Sequence, residues 1–108
     1  MSTKEFVNYV SECLSAVGSF SVRPMMGEYL LYYNGKLVGD ICDNRVLVKQ
    51  TETSCRLLSD CPLEYPYVGS KQLMFVVDDL ENSEKMKELF DGLFSEIPEK
   101  RKNQGRNK

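Results

Sequence analysis

Histidine is absent from all 108 residues. That removes the commonest general acid–base side chain and the usual nitrogen ligand of zinc. The four cysteines, at 13, 42, 55 and 61, form no C-x-x-C pair, so neither a cysteine zinc site nor a Cys/His nucleophile can be assembled from them in a familiar way. Two other motif classes are missing: the G-x-S-x-G elbow of serine hydrolases, and the glycine-rich phosphate loops of either spacing. No apolar run approaches the ~18 residues of a membrane-spanning helix. The N-terminus lacks a basic region followed by a hydrophobic core and a small-residue cleavage site. The expectation is a cytoplasmic protein with reduced thiols, no metal, no cofactor and no catalytic residue. Cys13 is expected on the apolar face of a helix and Cys42 at a strand end, while an oxidised Cys55–Cys61 pair is left open.

What is present describes one ordinary globular domain, 42% hydrophobic and 28% charged, large enough to bury a core. The net charge of −2 hides a split: residues 99–108 carry five basic side chains and one acid, leaving −6 on residues 1–98. The domain is therefore expected over 1–98, followed by a disordered basic tail. An acidic body is a poor match for a phosphate backbone. Direct DNA binding by the body is not expected, and the tail is expected to make weak contacts at most.

The pattern along the chain reads as α-β-β-β-α-β-α. Residues 2–17 place Phe6, Val7, Val10, Cys13, Leu14 and Val17 on one helical stripe. Ser2 and Glu5 stand at capping-box spacing, and Gly18 at the favoured left-handed stop. Pro24 sets Arg23 in an extended path, and Gly27, just before the next strand, marks a bulge or a close backbone approach. Three strands follow, over about 28–33, 36–42 and 45–50. They are joined by Asn34-Gly35 and Asp43-Asn44, whose residue types tolerate the positive φ of tight hairpin turns. In the first of these strands Tyr29, Leu31 and Tyr33 share one face and Leu30 and Tyr32 the other. Both faces are apolar, so helices are expected over one and a partner chain over part of the other.

Residues 51–60 read as a short helix capped by Thr51 or Thr53, with Cys55, Leu57 and Leu58 on its apolar side. An irregular loop follows from Pro62 to Ser70, and then an interior strand from Lys71 to Asp78. Asn82 or Ser83 starts a last helix with the stripe Met86, Leu89, Phe90, Leu93, Phe94 and Ile97. Gly92 inside it points to close packing, and Pro98 ends it. The fold class is thus α+β: two layers, with a mostly antiparallel four-stranded sheet and helices.

Two constellations stand out. The first is Arg23, Met25, Met26, Gly27, Glu28 and Tyr29, where arginine, methionine and tyrosine are the residue types enriched in contact surfaces. The second is the loop Tyr65-Pro66-Tyr67-Val68-Gly69-Ser70-Lys71, with tyrosines around a proline. Asp78, Asp79 and Glu81 are placed to complement a helix dipole, and Asp40, Asp43 and Glu28 to converge on one sheet edge. A rival reading makes the Arg23, Glu28 and Tyr67 neighbourhood a small-molecule pocket or an active site, which requires the three side chains to meet in a cavity.

These motifs resemble the N-terminal domain of the TfoX/Sxy family of competence regulators, in a small single-domain form. The likeness runs through Arg23-Pro24-Met25-Met26-Gly27-Glu28-Tyr29 and Tyr32-Tyr33-Asn34-Gly35-Lys36. It continues through Cys42-Asp43-Asn44-Arg45-Val46-Leu47-Val48-Lys49 and Tyr65-Pro66-Tyr67-Val68-Gly69-Ser70-Lys71, and together covers roughly residues 20 to 80. The resemblance implies a bacterial, cytoplasmic α+β domain that regulates transformation or transcription through protein contacts, as a homodimer or with another protein, and not by catalysis. Two departures stand against a full transfer of role. These 108 residues are expected to hold no second helical domain of the kind that the longer regulators carry, and the glycine that many members have is replaced by Leu30.

Overall fold

The structure, a computed structural model, describes residues 2–98. Met1 and the expected basic tail over 99–108 lie outside the described residues. The elements are α1 Lys4–Ser15, β1 Phe20–Met25, β2 Glu28–Tyr33, β3 Lys36–Cys42, β4 Arg45–Val48, α2 Glu52–Leu57, β5 Leu63–Glu64, β6 Met74–Val77 and α3 Ser83–Glu96. The strands form one antiparallel sheet in the order β1-β2-β3-β4-β6-β5. The mixed α+β class is as expected. The four-stranded count and the order α-β-β-β-α-β-α are corrected, because the sheet gains β1 ahead of the expected strands and β5 inside the expected loop. None of the described helices is long and apolar enough to cross a membrane.

β1 exists because Met26-Gly27 is itself a two-residue hairpin turn. Met26 has φ 52° and Gly27 φ 88°, and the turn sets Met25 opposite Glu28. Gly27 therefore provides the turn, not the bulge or close approach expected of it. The real bulge lies farther on. Leu31 faces Gly39 while Tyr32 faces Leu37, which leaves Val38 as the extra residue. Asn34-Gly35 and Asp43-Asn44 form the hairpin turns the sequence called for, with φ of 50°, 84°, 52° and 55°.

The first helix is shorter than expected and capped differently. Thr3, not Ser2, is the N-cap, its hydroxyl accepting from the Phe6 amide at 3.1 Å. Gly18 does not take a left-handed φ. A β-carbon there would stand 2.8 Å from Cε1 of Tyr33, so that glycine makes room for a ring. Thr51 caps α2 with a reciprocal bond to Ser54, and the buried side of this helix includes Thr53 and Ser54. Cys55, expected on that side, is exposed. Asn82 caps α3 through the Lys85 amide. Gly92 lies against Thr53, the close packing expected of a glycine inside this helix.

All three helices bury their stripes on one side of the sheet. Val10, Leu14, Met86, Leu89, Phe90 and Leu93 pack with Leu31, Tyr33, Val38, Ile41, Val46, Val48, Phe75 and Val77 in a single cluster. Burying a side chain of this kind contributes roughly 1.5–3 kcal/mol, so this cluster dominates stability. Tyr33, almost fully buried, anchors β2 to α3 by donating its hydroxyl to Asp91 Oδ1 at 2.6 Å.

Candidate interaction surface

The register decides which residues reach the other side of the sheet. Residues directly opposite one another on paired strands point the same way. Arg23 is opposite Leu30, Leu30 opposite Asp40, Asp40 opposite Leu47, and Leu47 opposite Val76. This row crosses five strands on the face turned away from the helices. Part of the face has its own small cluster of Cys42, Leu47 and Met74, all buried, with Val76 against them and no helix residue among them.

The segment after β5 is tied to the sheet beside that part. Arg45, at the start of β4, donates Nη1 to Glu64 Oε1 and Nη2 to the Pro66 carbonyl at 3.1 Å, while its Nε donates to the Cys42 carbonyl. Farther along, Gln50 Nε2 donates to the Leu73 carbonyl at 2.7 Å. Pro66 is buried. Over β1 to β3 the same face is open: Leu30, Tyr32, Leu37 and Asp40 are half-buried, and Arg23 is exposed.

Two opposite charges sit on the open part, and neither forms an ion pair among the described residues. Arg23 lies over the ring of Tyr32, 5.2 Å from its centroid. The Asp40 carboxylate accepts no hydrogen bond from any described residue. Burial pushes its pKa above the usual aspartate value, opposed by the nearby charge of Lys49. Beside it the Cys42 thiol is pushed up to about 11, chiefly by burial and then by the charges of Asp40 and Glu28. Such a thiol stays protonated at neutral pH and is a weak nucleophile.

The remaining expected site residues divide into exposed contacts and structural ties. Met26 is 95% exposed at the β1–β2 turn, and Met25 beside it is partly exposed. Tyr65 and Tyr67 are about half exposed, Val68 fully, and Lys71 is also on the surface. Tyr29, by contrast, packs against the helix-side core. Glu28 is a tie: Oε1 accepts from the Ser2 amide and Oε2 from the Asp43 amide, each at 3.0 Å. Burial alone would raise its pKa, but these amides outweigh burial and hold it below the usual glutamate value. Asn44 completes the join by accepting from the Thr3 amide at 2.9 Å and donating its own amide to the Ser2 hydroxyl.

The expected edge cluster is therefore half realised. Glu28 and Asp43 do meet, while Asp40 stands on the open face. Among the described residues, Arg23, Glu28 and Tyr67 are not gathered into one groove. Tyr67 lines a shallow groove of about 490 Å³ with Asp43, Arg45 and Tyr65, and that groove includes neither Arg23 nor Glu28. A larger groove of about 1040 Å³ opens at the far end of the sheet, bounded by Tyr32, Leu37, Lys49, Gln72 and Leu73. Of the residues on this open face, sequence reasoning put Leu30 and Tyr32 on a second apolar face and Asp40 in the edge cluster, and it did not name Leu37. The two-sided apolar pattern of β2 was the available signal for the first two.

These features define a class: an α+β domain with one helix-covered sheet face and one partly open, mixed apolar and charged face. No family model matches the chain. A protein of Spirochaeta aurantia, described as an uncharacterized 12.7 kDa protein in the trpE 5' region, is 35% identical over 68 residues. The match covers 63% of this chain, which spans 59% of that relative's length.

Proposed function

We propose that this chain is a TfoX-like regulatory domain of the bacterial cytoplasm that acts through protein contacts and not by turning over a substrate. The observation that carries the reading is the open sheet face, where Leu30 lies half-buried between the charges of Arg23 and Asp40, with half-buried Tyr32 and Leu37 beside it. A surface of this composition suits a partner, and its neighbours Met25, Met26, Tyr65 and Tyr67 are adaptable contact residues. The acidic body, −6 over residues 1–98, supports contact with protein in preference to nucleic acid.

Binding to duplex DNA at physiological salt tests this, measured by fluorescence anisotropy on the full chain and on a version ending at Pro98. The expected result is weak binding that disappears with the last ten residues. Tight, sequence-selective binding by the shortened chain would reject the contact reading.

A further inference from the structure

We propose that the open face over β1, β2 and β3 seats a second copy of this chain, the two sheets meeting face to face about a two-fold axis that runs along β2. Arg23 and Asp40 stand on the strands flanking β2, and each is directly opposite Leu30. Each is thus one strand spacing, about 4.8 Å, from the line of β2. An axis lying between the facing sheets and parallel to β2 carries β1 of one copy over β3 of the other. Arg23 of each copy then lies over Asp40 of the second, and Leu30 and Tyr32 meet their own symmetry mates, as an isologous interface requires. Facing sheets stand about 10 Å apart, a gap that an arginine and an aspartate pointing toward each other can bridge.

Three observations make a second copy the fitting occupant. Within the open area Arg23 and Asp40 form no ion pair among the described residues and stand symmetrically about a leucine, so this row is complementary in charge to itself, with the charge of Lys49 beside Asp40 on its β4 side. The 65–70 segment stands beside the open area, fastened by Arg45. Rotation about the proposed axis brings the free β1 edge of the second copy against it. Met25 at the β1–β2 turn and the exposed Tyr65 and Tyr67 lie at the same end of the sheet, because Glu28 bonds the Asp43 amide and Asp43 shares a groove with Tyr67. The rotation keeps them at that end, so the two exposed clusters approach each other across the interface. Finally, Pro24 lies in the free edge strand and lacks an amide donor, which works against edge-to-edge pairing and favours the face.

The inference deepens the contact reading by naming its partner, and rests on it only in taking the open face as a contact surface. Sedimentation of the full chain at micromolar concentration is expected to show a dimer. Arg23→Asp sets like charges opposite one another in the pair, as does Asp40→Arg, and each is expected to weaken association ~10-fold or more. An equimolar mixture of the two variants sets the introduced aspartate of one against the introduced arginine of the other, and leaves the native pair intact on the opposite side. It is expected to sediment as a heterodimer. Leu30→Glu, which sets two carboxylates together on the axis, is expected to give a monomer, with circular dichroism confirming the fold of every variant. A monomeric native chain, a mixture that stays monomeric, or single variants that dimerise like the native chain would overturn the self-pairing. The contact reading would still stand or fall on DNA binding alone.

Discussion

Single residues in this domain are constrained by what lies within a few ångströms. Gly92 is the clearest case. Inside α3 a glycine costs about 1 kcal/mol relative to alanine, yet a β-carbon at this position would fall among the Oγ1, Cβ and Cγ2 atoms of Thr53, with the Thr53 Cβ only 2.5 Å away. The β-carbon of a helical threonine cannot rotate aside, so overpacking of about 1–3 kcal/mol outweighs the gain in propensity. Gly92→Ala is expected to lower stability by about 1 kcal/mol in urea unfolding. In a Thr53→Gly background the same substitution should become neutral or stabilising, and a cost that persists there would show that the contact is not the cause.

Glu28 allows a test with pH. Its carboxylate accepts two backbone amides, from Ser2 and Asp43, and its folded pKa lies below the unfolded value. Stability from such a group is fully present above the unfolded pKa, about 4.3. It is lost as pH falls through the folded value. Glu28→Gln keeps one acceptor oxygen and sets an NH2 against the other amide. The expected cost is about 1 kcal/mol at neutral pH, reduced by the partial exposure of the site. The gap between native and variant chains should close as pH drops below about 4. A gap that stays constant to pH 3 would remove the carboxylate from this role.

At the scale of elements, the legible parts were those whose local chemistry agreed with their tertiary setting. The stripes of α1 and α3, the Asn34-Gly35 and Asp43-Asn44 turns and the apolar β6 formed where they were expected, because each is specified by spacing or by residues that tolerate positive φ. The differences are that β6 spans only Met74–Val77 of the expected Lys71–Asp78, and that Phe94 of the α3 stripe is exposed. Met26-Gly27 was not legible as a turn, since methionine has no preference for the left-handed region and adopts φ 52° here under the pull of the paired strands. With the turn went β1, and with β1 the fact that Arg23 belongs to a strand row. β5, two residues long, has no periodicity to detect. The bulge at Val38 depends on register, so the placing of Asp40 beside Leu30 could not be counted out from the sequence.

One element carries a prediction of its own. The 65–73 segment has few buried side chains, and its ties include Arg45 to Glu64 and Pro66 at one end and Gln50 to Leu73 at the other. Segments of this kind open locally before the whole domain unfolds. Arg45→Ala removes the first ties and is expected to cost about 1 kcal/mol globally. Its larger effect should be local, with chymotrypsin cutting after Tyr67 several-fold faster than in the native chain. Hydrogen exchange at β6 should show whether the Cys42, Leu47 and Met74 cluster is uncovered at the same time. Unchanged cleavage would mean that the segment is held by packing and not by the guanidinium.

For the whole molecule, the distribution of charge separates contact with protein from contact with nucleic acid. Residues 1–98 carry −6, whereas residues 99–108 carry five cations and one acid. Each phosphate neutralised by a cation contributes about −0.9 to the slope of log K against log salt on duplex DNA. If DNA contact comes from the last ten residues alone, the slope cannot be steeper than roughly −4.5. The local acid and the acidic body should flatten it further. A titration from low to physiological salt with an arbitrary duplex is expected to give a slope shallower than that limit, with no preference among sequences. Removing residues 99–108 should abolish the binding, while sedimentation shows the self-association of the body unchanged, since Arg23, Leu30 and Asp40 all lie far upstream. A steeper slope would require cations of the body to reach phosphate, and the sheet face would then have to be reconsidered as a surface for nucleic acid.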